Sequence, residues 1–509
     1  MAGLFLIYTR NGIADAGQEA TLAALEARLK QPDAKLMLFL HGGLVDEASG
    51  KATALRLSAA GDDSWKLGPE WTQLYVVWRT GAFETLKTNW TDLVHDDRLY
   101  QVLLRKLLEF VARKLGIPVP GGARSASEQF ALSEVEIQRR ILGRGTEDQR
   151  RDPFAEVDVH LKPDAPAGSR ASVTAAQTDG ALAIEFEGEL ANSSDFQKVI
   201  ADLDAIANEG LVGRGPVSPR DGARGYAMLN NLSDDVRAQF GPLDTLEART
   251  ARGPVSVGVF LIKHVGVIAY RCFKRFRAKR DHGFQATVVE ELCRELYGDL
   301  IGAKVWGMMV QDAADHFTGD GLGGALLDML GRVPQPTHFV VTGHSAGSIW
   351  ASRMLLEMAH RGIDRKLKLF LLAPAVRANL FAETIDQSGD RIQSCQMFTM
   401  TDTLERKDAV LGHDKGYIYP GSLLYLVSGL FEEKDDKDYA DAPLVGMRRF
   451  AGAPWLEADE AAADAKIAHF FSLSQNGITL SPDPGVCEAD CHGCFDNEAT
   501  TLKSVAALY

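Results

Sequence analysis

The residues whose order points most directly to chemistry are Gly343-His344-Ser345-Ala346-Gly347, preceded by the apolar run Val340-Val341-Thr342 and followed by a helix-compatible segment, residues 349–360. A G-x-S-x-G pentapeptide alone is common, but here it stands between a strand-like and a helix-like stretch. That context puts Ser345 on a sharp strand-to-helix turn with its hydroxyl projecting from the end of a sheet, while Gly343 and Gly347 keep the turn unobstructed. The chemistry such a serine supports is nucleophilic attack. A hydroxyl is a poor nucleophile at neutral pH, so it needs a base to take its proton and a carboxylate to hold that base in the right tautomer.

For the carboxylate, Asp402 stands directly at the end of the apolar run 396–401, where a parallel sheet presents side chains to a site. Asp408 and Asp414 are nearby rivals, and any of the three also reads as a helix cap or a solvated charge. For the base, His413, His469 and His492 all lie beyond Asp402. His413 follows too soon to leave a strand between acid and base, and His469, in Ile467-Ala468-His469-Phe470-Phe471, reads as a helix-end residue. His492, in a glycine-containing loop near the end of the sequence, is therefore favoured. The tetrahedral intermediate of acyl transfer also needs backbone donors: one from the N–H of Ala346, the other from His41-Gly42-Gly43-Leu44, with Gly43 or Leu44 donating and His41 supporting the turn.

The elements that must position these groups alternate between strand and helix. Apolar runs at 3–8, 35–40, 74–78, 340–342, 368–372, 396–401 and 423–427 read as strands, and leucine- and alanine-spaced segments at 18–30, 97–115, 288–297 and 456–468 read as helices. The expected class is α/β, a mostly parallel central sheet flanked by helices. Between residues 116 and 284 the character changes to proline- and glycine-punctuated, charge-rich sequence, read as an insertion. Within it, 180–190 alternates apolar and acidic residues and suits a strand or hairpin, 194–207 is helical by spacing, and 213–225 is an exposed loop. Residues 255–280 read as an apolar helix running into Arg271, Lys274, Arg275, Arg277, Lys279 and Arg280. A buried helix with a solvated basic end is the first reading, and peripheral membrane contact through 255–280 is the sharper alternative. Residues 472–484 read as loop.

Composition narrows the possibilities. A chain of 509 residues with 46% hydrophobic and 24% charged residues can bury a sizeable core, and a formal charge of −14 disfavours nucleic acid as the main partner. The first residues lack the basic start and cleavage site of a secretory signal, so a cytoplasmic location is expected. The longest apolar stretch, 255–270, is interrupted by Lys263 and His264 and does not read as a membrane span. Six cysteines in so long a chain do not indicate a disulfide framework. Cys487, Cys491, His492 and Cys494 have a zinc reading, set behind that of incidental thiols because adjacent Cys491 and His492 cannot easily face one ion. No metal and no cofactor are expected.

On three of these features the chain resembles the α/β-hydrolase superfamily of serine esterases, lipases and related acyl hydrolases. They are His41-Gly42-Gly43 after a strand, Gly343-His344-Ser345-Ala346-Gly347 at a strand-turn-helix, and the order Ser, Asp, His. The resemblance covers residues 1–115 and 285–509 and leaves 116–284 as an inserted lid or cap. It implies Ser345 as nucleophile, Asp402 as orienting acid, His492 as base, Ala346 with Gly43 or Leu44 as oxyanion hole, no obligatory cofactor, and a small-molecule ester as substrate. Thioesterase, amidase or peptidase chemistry would use the same parts, and a catalytically silent scaffold that binds a protein or membrane is the alternative of another class. Two departures stand out: roughly 300 residues separate His41 from Ser345, and His492 follows the last expected strand by roughly 65, both long for simple connections.

Overall fold

The computed structural model describes residues 3–43, 45–78, 83–116, 132–161, 179–209, 257–297, 303–432 and 441–509. Its strands are β1 (Leu4–Arg10), β2 (Ile13–Ala14), β3 (Lys35–Leu40), β4 (Trp71–Trp78), β5 (His338–His344), β6 (Leu367–Leu372), β7 (Ile392–Met400) and β8 (Gly477–Ser481). They form one eight-stranded sheet in the order β2-β1-β4-β3-β5-β6-β7-β8. Every neighbouring pair is parallel except β1 with β2.

Strands covered on both faces should read as continuous apolar runs, and β3 (KLMLFL) and β6 (LKLFLL) do. Alternate side chains nonetheless serve different cores. Leu36, Leu38 and Leu40 of β3 join Val76, Trp78 and Val341 on one face, while Met37 and Phe39 join Tyr75, Val340 and Phe370 on the other. Helices therefore flank both faces of the sheet, as the sequence led one to expect.

The topology creates a crevice. From β3 the chain passes to β4 on one side, and after the long intervening segment it returns as β5 on the other side of β3. Such a reversal leaves an opening outside the carboxyl ends of the two strands, the usual place for a site in an open α/β sheet. His41-Gly42-Gly43 follows β3, and Ser345 follows β5.

Several local expectations need correction. Residues 180–190 belong to a helix, Asp179–Ala191, and not to a strand: Leu182, Phe186 and Leu190 recur every fourth residue and are buried, with Phe186 4.7 Å from Phe110. Residues 423–427 are likewise helical, Leu423–Leu426 running into a π turn, Val427–Phe431. Conversely, β8 lies in the stretch read as loop, paired with β7, so His492 comes soon after the last strand and the apparent gap before it closes. The loop expected at 213–225 lies outside the described residues.

The helix Val257–Ala278 buries Leu261, Val265, Ile268, Cys272 and Phe273. Its basic end is not simply solvated. Arg275 pairs with Glu290 at 2.7 Å and Glu291 at 3.0 Å, Arg271 with Glu295 at 2.6 Å, and Arg280, just beyond, with Asp441 at 2.8 Å and Glu460 at 2.7 Å. Buried guanidinium groups need such partners, because an unpaired one would cost several kcal/mol or more. Among the described residues no helix is long and apolar enough to cross a membrane.

Candidate active site

Ser345 has a φ of 51°, in the left-handed region that side chains other than glycine rarely adopt. A residue held there costs about 1–3 kcal/mol and persists only where its surroundings impose it. They do: Ser345 N–H donates to the Leu372 carbonyl at 2.9 Å, and its own carbonyl accepts from Ala375 N–H at 3.1 Å and from the Ser348 hydroxyl at 2.5 Å. Glycine is required on both sides for contact reasons. A Cβ at Gly347 would lie 2.2 Å from the Leu40 carbonyl oxygen, and one at Gly343 would lie 2.8 Å from the Gly347 carbonyl carbon. The helix Gly347–His360 could not then seat against β3 and β5.

His492 reaches this turn from a short 3-10 helix, His492–Cys494, and its Nε2 stands 2.9 Å from Ser345 Oγ. For the serine hydroxyl to donate to Nε2, the ring proton must reside on Nδ1. That atom is buried and has no partner among the described residues. Burial, reinforced by the charge of neighbouring His344, holds the His492 pKa well below the ordinary imidazole value, so the ring is kept neutral and able to accept a proton.

The carboxylate in contact with His492 is Asp408, whose Oδ2 accepts the His492 backbone N–H at 2.9 Å. Burial pushes its carboxyl up to about 6. Ala409, the next residue, has a φ of 46°, a second strained position beside the site. Asp402 is placed differently. It opens a short helix, Asp402–Glu405, and its carboxylate accepts from Arg406 Nε at 3.0 Å and from the Tyr425 hydroxyl. It makes no hydrogen bond to His492. Asp414 and His413 lie exposed in a 3-10 turn, and His469 lies exposed on the helix Ala458–Ser472.

The glycine turn after β3 lies directly over the serine. A Cβ on Gly42 would be 3.3 Å from Ser345 Cβ, and one on Gly43 would be 3.1 Å from Ala346 Cβ and would overlap Met309 Sδ at 2.1 Å. The N–H groups of Gly43 and Ala346 have no hydrogen-bond partner among the described residues. Leu44 lies outside those residues. His41 fixes the turn: its Nδ1–H donates to the Gly42 carbonyl at 2.7 Å, and its Nε2 accepts Trp78 N–H at 3.2 Å. Acceptance at Nε2 requires the neutral ring, and burial lowers its pKa to about 4.

Behind His492 stands a pair not singled out from the sequence. His344 Nε2 donates to the His492 carbonyl at 3.0 Å, and its Nδ1 faces Asp496 Oδ2 at 3.4 Å. The Asp496 carboxylate opposite Nδ1 favours the charged form of the ring. Burial opposes that charge, but the Asp496 carboxylate outweighs it and holds the His344 pKa above the ordinary value. Arg56 anchors Asp496 in turn, donating to its carbonyl at 2.7 Å. The signal was present, since His344 ends β5 and Asp496 follows His492 by four residues, but nothing local in the sequence ties one position to the other.

The cysteines resolve as follows. Cys491 and Cys494 form a disulfide with Cα atoms 5.1 Å apart. Cys487 is buried and accepts from Thr501 Oγ1 at 3.4 Å. With His492 turned to Ser345, these four do not converge on one point; the sulfurs of Cys491 and Cys494 lie instead beside the Asp490 carboxylate.

Ser345 is 1% and His492 5% exposed, so both side chains are covered in this conformation. A cleft of about 440 Å³ bordered by Trp306, Ile349, Arg353 and Arg377 lies beside the next turns of the helix behind Ser345, but neither Ser345 nor His492 lines it. Compared with protein-family models, with curated proteins and with solved structures, the chain finds no match.

Proposed function

We propose that the chain is a serine hydrolase of carboxylic esters, built on an α/β-hydrolase-like core to which the helices of 116–284 are added as a cap. The observation that carries the reading is the 2.9 Å approach of His492 Nε2 to Ser345 Oγ on a serine held at positive φ between strand and helix. A structural serine needs neither the strained turn nor a neutral histidine.

In this reading Ser345 Oγ gives its proton to His492 Nε2 and attacks the ester carbonyl carbon. The oxygen that becomes negative is received by the N–H groups of Ala346 and Gly43, donors worth about 2.7–4 kcal/mol each in comparable sites. His492 then hands the proton to the departing alcohol, and water, activated by the same ring, releases the acid from the acyl-enzyme. The charged ring needs a carboxylate at Nδ1. Asp408 takes that role, because it already holds the His492 backbone whereas Asp402 is committed to Arg406 and Tyr425. An unpaired buried N–H costs roughly 1–3 kcal/mol, which favours an arrangement in which Asp408 reaches Nδ1. The chemistry calls on no cofactor, and the implied partner is a small-molecule ester. A silent scaffold would leave the serine–histidine contact without a purpose.

The test is turnover of a panel of p-nitrophenyl esters of increasing acyl length by the full-length protein and by Ser345→Ala. At least one ester should be cleaved by the wild type and lose about 10⁶-fold in kcat in the variant. Equal rates for the two proteins on every ester would refute the assignment.

A further inference from the structure

The disulfide joins the residues on either side of the proposed base: Cys491-His492-Gly493-Cys494 is a C-x-x-C whose second position is the histidine that contacts Ser345. Three bonds place that histidine, through its N–H to Asp408, its carbonyl to His344 and its ring to Ser345. All three depend on the peptide path between the two sulfurs. One backbone bond, Cys494 N–H to the Cys491 carbonyl at 3.0 Å, spans the same turn, and Gly493, exposed with no atom within 4 Å of the position a Cβ would take, adds no packing. Asn497 Nδ2 also donates to the Gly493 carbonyl at 3.2 Å, and the disulfide is the covalent restraint on the turn that aims the imidazole.

The pair is also the accessible one. Cys272, Cys293, Cys395 and Cys487 are buried free thiols, and burial raises the pKa of each, which suppresses the reactive thiolate. Cys491 and Cys494 are partly exposed, next to exposed Asp490 and Gly493. A closely spaced, solvent-facing disulfide is of the labile, regulatory kind, whereas a bridge that staples a large fold closes a long loop.

We propose that Cys491–Cys494 is a redox switch on the active site, closed when oxidised and opened by a dithiol reductant. The inference rests on the hydrolase reading given above. One thiolate of the dithiol attacks one sulfur of the bridge, forming a mixed disulfide and releasing the other cysteine, which takes up a proton. The second thiol of the reductant then attacks the mixed disulfide, leaving as a cyclic disulfide and delivering the second cysteine as a thiol. Two electrons and two protons pass from the dithiol to the protein. With the bridge open, the turn relaxes and the imidazole loses its alignment with Ser345, and a displacement of about 1 Å at a catalytic group can cost on the order of 10²-fold in rate.

The experiment uses the full-length protein equilibrated in mixtures of reduced and oxidised dithiothreitol. The state of the pair is trapped with a maleimide and read by peptide mass spectrometry, while ester turnover, the rate of fluorophosphonate labelling and the melting temperature are measured on the same samples. Reduction should lower kcat and the labelling rate by about tenfold to a hundredfold with KM little changed, reversibly on reoxidation. The double variant Cys491→Ser/Cys494→Ser should be fixed near the low value and indifferent to dithiothreitol. Equal turnover and labelling in the two trapped states would overturn the proposal, as would a bridge that the dithiol reduces only as the protein unfolds. Because both redox states are read on the wild type, poor folding of the double variant does not remove the test. Absence of labelling in both states would instead sink the hydrolase reading and this one with it, whereas equal labelling in both sinks only the switch.

Discussion

Replacing His492 by alanine should lower kcat for ester hydrolysis by about 10⁵–10⁶-fold, close to the loss from replacing Ser345 itself, since members of such a unit fail together. The expectation follows from the absence of a substitute. His344 and His41 are the other imidazoles at the site, but the nitrogens of His344 face the His492 carbonyl and Asp496, and those of His41 are taken by the Gly42 carbonyl and Trp78 N–H. His413 and His469 lie exposed on other elements. Steady-state rates with the best ester of the panel, with circular dichroism to check folding, measure the effect. Near-normal turnover would move the base elsewhere.

The second large effect separates the two candidate acids. Asp408→Asn should cost about 10³–10⁴-fold in kcat, the loss seen when the partner of a catalytic histidine is neutralised, and Asp402→Asn far less. The pH profile supplies a signature of its own. The Asp408 carboxyl sits at about 6, so its charged form, the one able to stabilise an imidazolium, is present above that pH and disappears as the pH falls through it. His492, held well below its ordinary value, stays neutral across the same window. Wild-type kcat/KM should therefore fall through an acid limb near pH 6 that Asp408→Asn lacks, the variant running flat at its low level. A large loss in Asp402→Asn, or an unchanged limb in Asp408→Asn, would contradict the assignment.

The contrast between these two aspartates shows where sequence reasoning reached and where it stopped. Ser345 and the glycine turn at 41–43 were legible because each combines an apolar strand with residues that sterics demand, and β3 and β5 prove to be adjacent with both turns at their carboxyl ends. The sheet was legible for the same reason. The strand-end rule that selected Asp402 carries no knowledge of a loop's return path: β7 ends at Met400, a short helix turns Asp402 towards Arg406, and the chain comes back to His492 only at Asp408. His344 went unremarked because its role depends on the carbonyl of a residue 148 positions away.

Periodicity failed where two periods coexist. In ALAIEFEGEL the alternation of apolar and acidic residues fits a strand, while Leu182, Phe186 and Leu190 fit a helix, and burial against the helix Arg98–Lys114 through Phe110 decided for the helix. β8 was missed for the opposite reason. Its sequence, GITLS, is short and half exposed, and pairing with β7 supplies what the local pattern does not. The basic residues after position 270 read as a solvated run because nothing local announces Glu290, Glu291, Asp441 and Glu460 as their partners.

The central claim, that Ser345 is a nucleophile activated by His492, is tested most directly by covalent capture. Full-length protein treated with a fluorophosphonate and digested should yield one adduct, on the peptide containing Ser345. That adduct should vanish in Ser345→Ala and form far more slowly in His492→Ala. A folded protein that takes up no probe, or one that labels equally well after Ser345→Ala, would contradict it.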